Sequence, residues 1–125
     1  MPKQELFFEQ VASGARVEVI KSYDQAYAHE VFREMDEAAL KELWSSLSLE
    51  DSYDAADLPS LDDPEGKGED FLWEELLGSA REDGNKPSFF IVNEKIGGRE
   101  LPLYVSSDWP SAESFAKQRL SSISQ

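Results

Sequence analysis

The run PSFFIVNEKIGGRELPLYV, residues 87–105, constrains the fold more than any other part of the chain. Two segments rich in aromatic and β-branched residues flank Gly97-Gly98, a two-residue turn that tolerates positive φ at both positions. A turn of that length sets the register. Ile96 should face Arg99, Lys95 should face Glu100, Val92 should face Leu103 and Phe90 should face Val105. One face of the hairpin is then mostly apolar, and Lys95 with Glu100 make an opposite-charge pair on the other. Pro102 has no N–H to give to a ladder, so the second strand is expected to have a free edge. Such an edge would permit pairing with a second copy of the chain.

Upstream, the segment ELFFEQVAS, residues 5–13, reads as a short helix ending at Gly14, with Leu6, Phe7, Phe8 and Val11 as its buried stripe. ARVEVIKSY follows as a strand, with Val17 and Val19 on one face and Glu18 and Ile20 on the other. Asp24 can cap a helix over 25–35, in which Ala28, Val31, Phe32 and Met35 fall at i, i+3, i+4 and i+7. Asp36 can cap another, with Leu40, Leu43, Trp44 and Leu47 at the same spacing. EDFLWEELLGSARED predicts a helix over 69–82, its stripe made of Phe71, Leu72, Leu76 and Ala80, widened by Trp73 and Leu77 and stopped at Gly84-Asn85. A last helix opens near Pro110 and buries Ala112, Phe115, Ala116, Leu120 and Ile123. Its Lys117 and Arg119 lie toward the C-terminal end, where the helix dipole favours cations. The pattern is a single α+β domain over residues 1–125: a small antiparallel sheet with a C-terminal β-hairpin, about five helices and an acidic central loop. The central helices and that loop are expected to form an added lobe.

Parts of this pattern resemble a known family. LFFEQVASGARVEVI, taken as a helix turning into a strand, and FFIVNEKIGGRELPLYVSSDWPSAESFA, a hairpin leading to a helix, are similar to the small bacterial SseB-like domains. Leu101, Pro102, Tyr104, Ser106 and Phe115 carry the match, and the central block of about residues 24–86 has no counterpart in it. The resemblance implies a compact α+β fold and a non-enzymatic or unknown role. It transfers no catalytic residue.

The central block holds the chain's strongest chemical bias. EDSYDAADLPSLDDPEGKGED, residues 50–70, carries nine carboxylates and one lysine, a net −8 of the chain's −14. Pro59, Pro64, Gly66 and Gly68 make much of it loop, while Tyr53, Leu58 and Leu61 could pin it to the body of the protein. Three readings compete: a solvated linker, a calcium loop and a surface shaped for a basic partner. Residues 63–74 meet the EF-hand template at Asp63, Gly68 and Glu74, but Lys67 stands where an oxygen ligand belongs and Asp70 where an apolar residue is usual. No metal site is expected. The partner surface is expected to comprise Glu50, Asp51, Tyr53, Asp54, Asp57, Asp62, Asp63, Glu65, Glu69, Asp70 and Trp73, with the aromatics as anchors within complementary charge.

Catalytic signals are few. The chain has no cysteine, which excludes disulfides, thiolate catalysis and Cys-based zinc sites. His29 is the lone histidine, and position 33, where a zincin needs its second, is Arg. No G-x-S-x-G elbow or glycine-rich phosphate loop occurs. The expectation is no catalytic residue and no cofactor. Twelve Lys and Arg against 26 Asp and Glu argue against direct nucleic-acid binding and against anionic membrane, and favour a basic protein partner. With no apolar leader in MPKQELFFEQ, the chain is expected in the cytoplasm. The functional expectation is a non-catalytic acidic binding module, an immunity or inhibitor protein for a basic, nuclease-like partner. A nucleic-acid mimic that occupies a DNA-binding protein is the alternative, with a small enzyme or a scaffold behind it.

Overall fold

A computed structural model describes residues 4–81 and 87–123. Strands β1 (Gln4–Ala12), β2 (Ala15–Ser22), β3 (Phe89–Ile96) and β4 (Arg99–Ser106) form one antiparallel sheet in the order β1-β2-β3-β4. Helices α1 (Gln25–Glu34), α2 (Glu37–Ser46), the short α3 (Leu49–Ser52) and α4 (Lys67–Ala80) lie between β2 and β3, and α5 (Trp109–Ile123) follows β4. The α+β architecture read from the sequence is therefore the one observed.

The first element is a strand, not a helix. Ser13 and Gly14 have φ of 50° and 83°, and Gly97 and Gly98 have 54° and 84°, so both hairpins turn on the same two-residue, positive-φ geometry, side by side at the end of the sheet where Ala15 pairs with Ile96. The glycine that reads as a helix stop is instead half of a hairpin turn. A bulge between Leu6 and Phe8 hides the period of two in β1. Phe7 and Phe8 both reach Trp109, at 5.8 and 6.4 Å between ring centroids, so the two neighbours serve one face.

A second irregularity corrects the register of the C-terminal hairpin. Ile96↔Arg99 and Lys95↔Glu100 pair as expected, but after Asn93↔Pro102 the partner of Val92 is Tyr104 and that of Phe90 is Ser106. Leu103 is the extra residue. Pro102 cannot donate to the ladder, and the strand takes up its bulge beside it. A one-residue slip exchanges the faces beyond it. Tyr104 therefore lies beside Val92 and stacks on Phe115 of α5, centroids 4.4 Å apart and planes 4° apart. Its hydroxyl shares a 2.6 Å hydrogen bond with Ser111. Lys95 takes its ion pair from Glu18 on β2, at 3.1 Å, and Glu100 accepts from the Asn93 amide at 3.1 Å.

The sheet has a helix layer on each face. Val17, Val19, Phe90, Val92 and Tyr104 face α5. Ile20, Phe89, Ile91 and Val105 face the central helices. β3 is buried on both faces over Phe89–Glu94, and one continuous apolar core takes in the sheet and helices on both sides. The central helices are thus the second layer of the fold and not an added lobe. The expected caps form: Asp24 accepts from the Tyr27 amide at 3.2 Å and Asp36 from the Ala39 amide at 2.8 Å. Asp108 accepts from the Ser111 amide at 2.9 Å and starts α5 just ahead of Pro110. Arg119 does not serve the helix end. It makes a bidentate pair with Glu94, Nη2 donating at 2.9 and 3.1 Å and Nε at 3.1 Å, and Glu94 is only 3% exposed. The expected stop at Gly84-Asn85 lies outside the described residues.

Candidate functional site

Residues 50–70 are built around a few fixed points. Leu47 and Ser48 end α2, and Ser48 turns the chain with φ of 53°. The turn drops Leu49 into the core and starts α3, which carries Glu50 and Asp51 outward. Tyr53 then packs edge-on against Phe71 of α4, centroids 5.4 Å apart, and its hydroxyl donates to Glu75. Phe71 in turn meets Trp44 of α2 at 5.9 Å. The hydrogen bond to Glu75, and then that carboxylate's charge, hold the Tyr53 phenol above its ordinary value. Ala55–Asp57 make one 3-10 turn, and Leu58 and Leu61 come down half-buried against the core.

The closing turn depends on Asp63 and two glycines. Asp63 donates its amide to the Ser60 carbonyl at 3.2 Å, and its side chain accepts from the Glu65 amide at 3.0 Å. Gly66 has φ of 76° and accepts the first α4 hydrogen bond, from the Asp70 amide at 3.0 Å. Gly68 lies directly under the loop: a Cβ there would stand 2.0 Å from the Ser60 carbonyl oxygen and 2.7 Å from Leu61 Cα. The loop and the first turn of α4 are therefore in backbone contact, which only a glycine permits.

The result is a pinned segment with its charge outward. Glu50, Asp51, Asp54, Asp57, Asp62, Glu65, Glu69 and Asp70 are exposed, and Asp63 is half-buried by its structural role. Among the described residues, the ion pair these carboxylates make is Glu65 with Lys67, at 3.2 Å. Between the segment and α2 lies a groove of about 710 Å³, floored by Trp44, Leu58, Pro59 and Leu61, with Lys41 and Glu50 on its walls. Lys41 is taken by Glu37 at 2.9 Å, and that hydrogen bond and charge, with a contribution from Asp62, raise its affinity for its proton.

Trp73 does not belong to this surface. It is 8% exposed and lies between His29, Phe32 and Phe89, with ring centroids at 4.5, 5.4 and 6.0 Å. It follows Leu72 and precedes Leu76 and Leu77 by three and four places, which turns it into the buried stripe of α4. The aromatics that stand at the acidic surface are Tyr53, 42% exposed, and the half-buried Trp44 at the margin of the α2 stripe. The sequence signal of Trp44 was its spacing with Leu40 and Leu43, which reads equally as core. Glu74 and Glu75 extend the acidic run into α4 in the sequence, but the bond of Glu75 to Tyr53 spans 22 positions and leaves no local pattern. Glu82 and Asp83, which extend the acidic run in the sequence, lie outside the described residues.

His29 is exposed at its helix surface and stacks its ring on Trp73. Among the described residues no group of three or more His, Asp or Glu side chains is placed to hold a metal ion, and residues 67–74 of the calcium template are helix. No helix among them is long and apolar enough to cross a membrane. No protein-family model, no curated protein and no solved structure matches the chain.

Proposed function

We propose that this chain is a non-catalytic protein-binding module whose acidic surface covers a basic partner, as an immunity or inhibitor protein covers a nuclease-like enzyme. One observation carries this reading: residues 50–70 are pinned by Leu49, Tyr53, Leu58 and Leu61 while their carboxylates, Asp63 aside, stay in solvent. A loose tether would hold its charges at no fixed spacing. A pinned segment presents a fixed pattern, which is what electrostatic complementarity requires for specificity. The net charge of −14 adds a long-range field that speeds encounter with a basic protein and repels the phosphates that protein would otherwise bind.

The test is capture from a lysate of the source cell on the immobilised chain, washed at low and then moderate salt. The comparison protein carries Asp54→Asn, Asp57→Asn and Asp62→Asn, and keeps Asp63 because it closes its own turn. The reading expects one basic protein held by the wild type through the moderate wash and lost from the variant. Many unrelated basic proteins, all released together, would instead indicate nucleic-acid mimicry or plain ion exchange. Equal retention by both proteins, or nothing basic at low salt, would overturn the reading.

A further inference from the structure

The groove between α2 and the acidic segment has a composition that charge attraction alone does not use. Its floor is Trp44, Leu58, Pro59 and Leu61, and its volume of about 710 Å³ holds one large side chain together with part of the segment that carries it. Glu50 is on its wall, and Asp54 and Asp57 flank the Ala55 that lines it. The cation on its wall, Lys41, is held by Glu37 at 2.9 Å and also feels Asp62. The groove is therefore apolar at its base, its lining carries Glu50 and a Lys41 already paired with Glu37, and the exposed carboxylates of Asp54, Asp57 and Asp62 border it along the chain.

A purely basic ligand would leave that floor wet, and a purely apolar one would leave the carboxylates unmatched. We propose that the groove is the anchor pocket of the acidic surface, and that its occupant is a basic segment of the partner presenting one leucine-sized or aromatic side chain between lysines or arginines. The inference rests on the binding role proposed above and specifies the partner's chemistry. The bordering carboxylates steer and align the segment through charge that salt can screen. The floor holds it through apolar burial, in the arrangement of a desolvated anchor ringed by polar contacts.

Two blocked, arginine-rich peptides separate the two contributions: one with a central leucine and one with alanine in its place. Each is titrated into the 15N-labelled full chain, and the three tryptophan indole N–H resonances are followed with the backbone amides. Trp73 is buried against Phe89 and Trp109 packs beside Phe90 on the other face of the sheet, so Trp44 is the indole that should respond. The leucine peptide is expected to shift the Trp44 indole and to bind about tenfold to hundredfold more tightly than the alanine peptide, the worth of burying one leucine side chain. Ser45→Phe, a substitution at an exposed wall position, should abolish that advantage while leaving the Trp73 and Trp109 resonances in place. If both peptides shift the amides of residues 50–70 equally and Trp44 stays still, the anchor pocket is refuted and the acidic binding role survives. If neither peptide shifts residues 50–70, the binding role falls and the pocket with it.

Discussion

Replacing Gly68 by alanine should destabilise the protein, although it replaces a poor helix former with the best one. The added Cβ would stand 2.0 Å from the Ser60 carbonyl oxygen and 2.4 Å from its carbon, both backbone atoms that cannot rotate away. The loop must retreat by more than an ångström or α4 must move. Overpacking of this kind costs about 1–3 kcal/mol. If the loop lifts instead, Leu58 and Leu61 lose their partial burial, worth about 2–3 kcal/mol together. Against this, the helical preference of alanine over glycine returns at most about 1 kcal/mol, and less at the second residue of a helix. The net expectation is a loss of about 1–3 kcal/mol, a fall of very roughly 4–12 °C in Tm for a chain of this size. Gly78, ten residues on in the same helix, is the internal control. A Cβ there meets nothing within 4 Å, and the residue is exposed. Gly78→Ala should therefore stabilise by about 0.5–1 kcal/mol. Urea melts followed by far-UV circular dichroism read both variants. The reasoning fails if Gly68→Ala matches or exceeds the wild type, or if the two substitutions shift the midpoint in the same direction.

Other features make their own predictions. Arg119→Met leaves the buried Glu94 carboxylate unpaired and should cost about 2–4 kcal/mol in a denaturant melt, while adding Glu94→Gln to that variant should recover at least about 1 kcal/mol. Burial holds the Tyr104 phenol above the ordinary value of 10.0. The folded state therefore favours the neutral phenol, and its contribution is full below the unfolded value and lost as pH rises through the folded one. Tyr104→Phe, which forgoes a hydrogen bond worth about 1 kcal/mol at neutral pH, should show a shallower loss of stability than the wild type in alkaline melts. Neutralising Asp54, Asp57 and Asp62 together relieves like-charge repulsion, and should raise the melting temperature slightly at low salt, with the gain vanishing as salt is added.

The sequence made the central helices legible because two signals agreed there. Asp24 and Asp36 stand where caps are needed, and the apolar residues that follow keep helical spacing. The first strand was hidden because Leu6, Phe7, Phe8 and Val11 fit a helical stripe as well as a strand interrupted by a bulge. The register beyond Pro102 was hidden for a related reason, since the position of an extra residue depends on how a ladder absorbs a missing donor. In the acidic segment, Tyr53, Leu58 and Leu61 could be identified as pins from composition alone. The contacts that fix their geometry could not: Tyr53 to Glu75 and Gly68 to Ser60 join distant or unpatterned positions. Trp73 reads both as part of the α4 stripe and, from its place after the acidic run, as a surface anchor, and the stacking that decides for the stripe comes from α1 and β3.

A surface and a tether differ most directly in backbone motion on the ps–ns timescale. Heteronuclear 15N NOE values for residues 50–66, measured on the full chain without any partner, distinguish them. Values equal to those of α2 and α4 are expected, because Leu49, Tyr53, Leu58, Leu61 and the Gly68 contact fix the segment along its length. A collapse of the NOE across residues 54–65, with the flanking helices still rigid, would contradict a fixed pattern of charge and leave the acidic run as a solvated linker.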